Sequence, residues 1–299
     1  MPTVTVPPPA DSTLPPLRIR RDVAEPRSFL PFEDELDLED ALRGFVAAPG
    51  YAEILANEGE TAWSVDGTDW MLDDPDRLDP QLRQRVALTL SYGLYELLPS
   101  RLYQVRGFDL ANMTFVRGDQ GWIVIDPLAL RETSAAALDL VREHIADLPV
   151  TGVVYSHGEP DDEGGARGVV DPGDVGRGKV EVIAPAGYQD ATRPGLGPAV
   201  GAGPLPVTIT IDQPDQEVVV DGVRMVFRPT GCDEGAPQLD AFLPDLGAVR
   251  VSDRIEAPDG EAAAPHFDGT AEVMFAAHRW PQWDADRIRS ILGSPTAPC

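Results

Sequence analysis

Between Ser156 and Gly165 the chain reads Ser-His-Gly-Glu-Pro-Asp-Asp-Glu-Gly-Gly, which places His157, Glu159, Asp161, Asp162 and Glu163 within seven residues. Imidazole nitrogens and carboxylate oxygens are both ligands for divalent cations, and alternate residues of a tight loop can converge on one ion. The apolar run Val150 to Tyr155, directly before it, reads as a short buried strand. Ligand sites of α/β proteins lie at such strand ends, on the loops that follow. The opposing reading is that these carboxylates face water. Fifty of the 299 residues are acidic, so an acidic loop can arise from composition alone. Pro160 also stiffens the stretch over which ligands would have to converge.

Other reactive residues carry weaker signals. Cys232 could be a thiol ligand or a nucleophile, but no matched base is visible, and a packed small residue explains it. His144 falls on a helix surface, and His266 follows Ala-Ala-Ala-Pro in a loop. No phosphate-binding loop, dinucleotide fingerprint or Gly-x-Ser-x-Gly elbow is present.

The charge balance narrows the partners. Fifty acidic against 24 basic residues give a net charge of −26, and Lys179 is the single lysine. Such a surface repels phosphate backbones and anionic lipid, so neither a nucleic-acid nor a membrane partner is expected. A cation or a protein partner fits better, as does an acidic surface that only confers solubility. With two cysteines, Cys232 and Cys299, no disulfide framework can be read. No stretch has the character of a signal peptide or a membrane span, which leads to the expectation of a cytoplasmic protein.

The elements that must position the acidic loop follow from periodicity. Residues 1–30 carry Pro7-Pro8-Pro9 and Pro15-Pro16 and read as a disordered tail; residues 31–299 read as a single domain. Helices are predicted from Asp37 to Ala47, from Asp79 to about Leu98, from Thr133 to Leu148 and from an Asp284 cap to about Leu292. Period-2 runs predict strands at Arg101 to Arg106, Met113 to Val116, Trp122 to Asp126, Val150 to Tyr155, Lys179 to Ile183, Val207 to Ile211, Glu217 to Val220, Arg224 to Arg228 and Ala248 to Val251. Gly118 to Gly121 and Asp221-Gly222 read as hairpin turns, and Ala184 to Pro206 as a Gly/Pro-rich loop. Strand runs in both halves, interleaved with helices, predict an α/β protein with two sheets covered by helices.

Several runs, in order, carry a resemblance. They are Tyr103-Gln104-Val105-Arg106-Gly107-Phe108-Asp109-Leu110 with Asn112-Met113-Thr114, Gly121 to Leu128, Ser156 to Gly165, and Ala277-His278-Arg279-Trp280-Pro281-Gln282-Trp283. From about Leu38 to Leu292 the chain resembles the alkylsulfatase branch of the metallo-β-lactamase superfamily. The resemblance implies an αββα four-layer sandwich with a metal site at one edge of the paired sheets. It places Ser156 to Gly165 on the family's His-x-His-x-Asp-His loop, so that His157 and Asp161 match ligands while Glu159 and Asp162 stand where the family has histidines. Later ligands fall on Glu234 or Asp233, on Asp253 and on His278.

These departures alter the implied chemistry. Binuclear zinc hydrolases use several neutral imidazoles, which leave the cations enough residual charge to acidify water. Carboxylates neutralise that charge and favour Mg²⁺, Mn²⁺ or Ca²⁺ over zinc. The segments Ala191 to Pro206 and Asp253 to His278 are shorter than in the family, and the family's dimerisation and C-terminal domains have no counterpart here. The resulting expectation is a divergent relative that has lost binuclear zinc sulfatase chemistry. It would serve as an accessory subunit, or as a repurposed enzyme acting on a sulfated or anionic small molecule. The alternatives are an active sulfate-ester hydrolase with an oxygen-rich divalent-cation site, and a structural partner of a full-length relative.

Overall fold

The computed structural model describes residues 4–5, 18–20, 35–51, 53–56, 59–64, 91–157, 164–188, 204–233, 236–252 and 271–293. In chain order the elements are β1 (Val4–Thr5), β2 (Arg18–Arg20), α1 (Glu35–Leu42), β3 (Phe45–Ala47), β4 (Glu53–Leu55), β5 (Thr61–Ser64), β6 (Gly93–Leu98), β7 (Leu102–Arg106), β8 (Met113–Arg117) and β9 (Trp122–Ile125). Then come α2 (Arg131–His144), β10 (Val150–Val154), α3 (Ala166–Val169), α4 (Pro172–Gly176), β11 (Glu181–Pro185), β12 (Ile209–Ile211) and β13 (Gln216–Val220). The last are β14 (Val223–Asp233), β15 (Ala236–Leu243), β16 (Ala248–Arg250), β17 (Val273–Phe275) and α5 (Ala285–Gly293).

One sheet has eight strands in the order β12-β11-β10-β9-β8-β7-β6-β3, and a second has five in the order β13-β14-β15-β16-β17. A small four-stranded ladder, β1-β2-β4-β5, is hydrogen-bonded to neither, and its Ile54 joins the core on the outer face of the large sheet. Strands β6 to β9 form an antiparallel meander, whereas β9 to β12 run parallel. Parallel neighbours need a crossover, which α2 supplies between β9 and β10.

Strict alternation in the strands creates three apolar interfaces. Trp122 and Val124 of β9 pack with Phe115, Leu138 and Val141 on the outer face of the large sheet. Ile123 and Ile125 of the same strand point the other way, against Met225, Phe227 and Phe275 of the second sheet. Val249 and Met274 continue outward to meet Ile288 of α5. Helix, sheet, sheet and helix therefore stack as the expected four layers. Both turns form as expected: Gly118 donates its N–H to Gly121 at 2.9 Å, and Asp221 and Gly222 take φ of 47° and 76°, the left-handed pair that a tight hairpin demands. Asp284 caps α5 through its carboxylate, which accepts the Asp286 and Arg287 N–H groups at 3.1 and 2.8 Å.

Three expectations change. The helix predicted from Asp37 to Ala47 ends at Leu42, and Phe45–Ala47 instead pairs with β6. Of the helix predicted from Asp79 to Leu98, residues 79–90 lie outside the described residues, and Gly93–Leu98 is the strand β6. Its Leu94 and Tyr95 face opposite layers, and hydrogen bonding to β7 outweighs a pattern that also satisfies helical spacing. Within the segment read as a disordered tail, Val4–Thr5 and Arg18–Arg20 form two short strands. No helix among the described residues is long and apolar enough to cross a membrane.

Candidate metal site at the joint edge of the two sheets

His157 stands just beyond the C-terminal end of β10, and Asp126 just beyond the neighbouring β9. Asp126 has φ of 57°, a left-handed conformation that costs an L-residue about 1–2 kcal/mol. Its carboxylate faces Ser156 and Arg250. Oδ1 accepts the Ser156 N–H at 3.0 Å, while Oδ2 accepts from Arg250 Nη2 at 3.0 Å. Arg250 belongs to the second sheet and donates Nη1 to the Leu239 carbonyl of β15 at 2.8 Å. Leu239 returns its N–H to the Ser156 carbonyl at 2.7 Å, and His157 bridges to Gln238. The two sheets are thus joined by directional bonds at the root of the His157 loop. Asp126 and Arg250 are both buried, and breaking such a pair one-sidedly costs about 3–5 kcal/mol.

His278 follows β17 and is held from the other side of the seam. Asn112 donates Nδ2 to the Arg279 carbonyl at 2.9 Å and to the Ala276 carbonyl at 3.3 Å; its own N–H goes to Ala277 at 2.7 Å. Gln104 Nε2 adds a bond to the Ala276 carbonyl at 3.4 Å. Gln104 is itself fixed by Arg106 Nε at 2.8 Å. Arg106 lies over the Tyr95 ring at 4.0 Å, and burial lowers its guanidinium from 12.5 to about 10, so it stays charged at neutral pH. His157 and His278 are both buried, with ring centroids 5.6 Å apart and planes inclined at 38°.

A third anchor holds the end of β16. The buried Asp240 carboxylate accepts the Ser252 N–H at 2.7 Å and its hydroxyl at 2.9 Å, and Thr230 donates to the same hydroxyl oxygen at 3.2 Å. Ser252 immediately precedes Asp253. At the exit of the acidic loop, Gly165 donates its N–H to Leu128 at 2.9 Å. A Cβ there would lie 1.9 Å from the Pro127 carbonyl oxygen, which explains why the loop must close on glycine.

Of the eight sequence-predicted ligands, the structure brings together His157 and His278. Asp233 ends β14, where its backbone pairs with Ala236 at the head of the strand that carries Gln238. Glu159, Asp161, Asp162, Glu234 and Asp253 lie outside the described residues. Among the described residues no group of three His, Cys, Asp or Glu side chains forms a metal cluster. The candidate donor set holds two imidazoles, both buried, and carboxylates at every other position, a balance that leans toward a cation that prefers oxygen. The anchors Asp126, Asn112, Asp240 and Arg250 escaped sequence reasoning. Their signal was a polar residue interrupting an apolar strand, as in Val249-Arg250-Val251 and Leu239-Asp240-Ala241.

Comparison with known proteins agrees with this geometry. The Metallo-beta-lactamase superfamily profile matches residues 106–233. An (R)-specific secondary-alkylsulfatase of a Pseudomonas species is 33% identical over 90% of this chain and 49% of its own length. An alkyl/aryl-sulfatase of Saccharomyces cerevisiae is 26% identical over 88% of the chain and 49% of its own. The solved structure of a stereoselective inverting sec-alkylsulfatase from Pseudomonas superimposes with a TM-score of 0.73 at 30% identity, covering 88% of this chain and 50% of that one. The chain spans about half the length of the relatives it matches. With its four layers and these likenesses, the chain belongs to the alkylsulfatase branch of the metallo-β-lactamase-fold superfamily.

Proposed function

We propose that this protein is a repurposed alkylsulfatase-like enzyme in which binuclear zinc chemistry has been replaced by a single oxygen-preferring cation, acting on a sulfate ester or a related anionic small molecule. The observation that carries the reading is the buried His157–His278 pair, together with anchors beside His157, beside His278 and at Ser252, the residue before Asp253. Loops left to drift have no reason to keep Asp126, Asn112 and Asp240 engaged with the residues beside those ligands. His157 and His278 would supply nitrogen donors, and Glu159, Asp161, Asp162, Asp253 and either Asp233 or Glu234 would supply oxygens. A bound divalent cation supplies positive charge against the sulfate oxygens. The chain's own contribution is to hold two imidazoles in a buried seam and to anchor the backbone after the acidic loop at Gly165.

Elemental analysis of the purified protein, with thermal melts in Zn²⁺, Mn²⁺, Mg²⁺ and Ca²⁺, tests the cation. Stoichiometric binding of Mn²⁺, Mg²⁺ or Ca²⁺ with stabilisation above that in Zn²⁺ is expected. Release of sulfate from alkyl sulfates of graded chain length tests the substrate class. A protein that binds none of the four ions, and whose stability is unchanged by Asp161→Ala, would return the accessory-subunit reading to first place.

A further inference from the structure

The candidate ligands among the described residues come from both sheets: His157 from the eight-stranded one, and Asp233 and His278 from strand ends of the other. Between the sheets lies an apolar layer that includes Ile123, Ile125, Met225 and Phe227. Apolar contact is non-directional, so this layer does not by itself fix how far one sheet's ligands sit from the other's. Something directional must set that distance at the site edge.

We propose that Arg250 is the positioning residue that sets the spacing between His157 and the ligands of the second sheet; the proposal rests on the reading of His157 and His278 as the site. Arg250 is buried in β16, three residues before Asp253. Its guanidinium spends one nitrogen on Leu239 of its own sheet and another on Asp126 of the opposite sheet. The second oxygen of Asp126 takes the N–H of Ser156, the residue before His157. One planar fork therefore fixes the β15 backbone, its own strand and the root of the His157 loop together. A lysine carries the charge but not the fork, and holds one partner at a time.

An internal control exists at the opposite end of the sandwich. There Asp221 of the β13–β14 turn accepts the Gln120 and Gly121 N–H groups at 3.0 and 2.8 Å and the Thr151 hydroxyl at 2.9 Å. It too links the sheets, yet it touches nothing beside a candidate ligand.

The test uses metal-free protein. The chain has four histidines, so the ring-proton cross-relaxation between His157 and His278 can be assigned and its intensity measured by NMR. In Arg250→Lys that intensity is expected to fall by at least about half, with cooperative urea unfolding retained. Asp221→Asn should lower the unfolding midpoint and leave the cross-peak intact. Titration with Mn²⁺ should show about a tenfold loss of affinity in Arg250→Lys, the size of effect that outer-sphere partners of metal ligands produce. Should Arg250→Lys not fold, Asp126→Asn takes its place: it keeps an acceptor for Ser156 but removes the anion facing Arg250, and the same loss is expected. A cross-peak as strong in the seam variant as in the wild type overturns the proposal, as does equal loss in Asp221→Asn. If the wild type binds none of Mn²⁺, Mg²⁺, Ca²⁺ and Zn²⁺, the functional reading fails while the cross-peak still decides the role of Arg250.

Discussion

The imidazoles of His157 and His278 lie with ring centroids 5.6 Å apart, although one is carried by the eight-stranded sheet and the other by the five-stranded sheet. Both are buried. The pair marks the place where the ends of β10 and β17, strands of different sheets, are brought to a single point. Each is held by a different buried side chain, Asp126 through Ser156 and Asn112 through the carbonyls around His278.

If these rings are ligands, removing either should weaken cation binding without unfolding the protein. His157→Ala and His278→Ala are each expected to lose at least about tenfold in Mn²⁺ affinity, read by calorimetric titration. His144→Ala, on an exposed helix surface, should bind as the wild type. Unaltered affinity in both site variants would exclude the pair as ligands.

Asn112 satisfies the Ala276 and Arg279 carbonyls with one amide. Asn112→Ala leaves those oxygens without that donor and is expected to cost about 1–3 kcal/mol in urea unfolding. Asn112→Asp should cost more, because a carboxylate beside two carbonyl oxygens repels them. A neutral Asn112→Asp would show that the His278 turn holds itself.

Gly165 tests the close backbone packing at the exit of the acidic loop. An added methyl meets the Pro127 and Leu128 carbonyl oxygens at 1.9 and 2.4 Å, and backbone atoms cannot swing aside as a side-chain tip can. Gly165→Ala is therefore expected to destabilise by at least about 1–3 kcal/mol. Gly176→Ala, where nothing lies within 4 Å, should be close to neutral in the same thermal melts.

The layers were legible because alternation is legible. In β9 the residues Trp122 and Val124 face one side and Ile123 and Ile125 the other, and any sheet with two covered faces requires such a run. β6 was not, because Leu94, Tyr95, Leu97 and Leu98 satisfy a helical stripe as well as a strand, and the choice is made by β7, the strand beside it. At the site, His157 and His278 could be named from their segments. Their supports could not: Arg250 and Asp126 meet across 124 positions of sequence, and a salt bridge of that span leaves no local pattern to read.

Alkaline stability offers a test of the large sheet's packing. Burial, with the Glu96 carboxylate nearby, raises the Tyr103 phenol from 10.0 to about 12. Burial also raises Tyr51 and Tyr95. A folded-state value above the unfolded one means that the native state holds its proton longer. That stabilisation is complete below about pH 10 and is lost as pH rises toward 12. Arg106 works the other way, since its folded value of about 10 lies below its ordinary 12.5, so its contribution to stability grows with pH in the same window. Three phenols oppose one guanidinium, and a net fall in the urea midpoint between about pH 10 and 11 is expected. Tyr103→Phe removes one titrating group while preserving the ring's edge-on contact with Trp122, and its midpoint should fall less steeply over that interval. Parallel pH profiles for the two proteins would mean that Tyr103 ionises as freely in the sheet as in the unfolded chain.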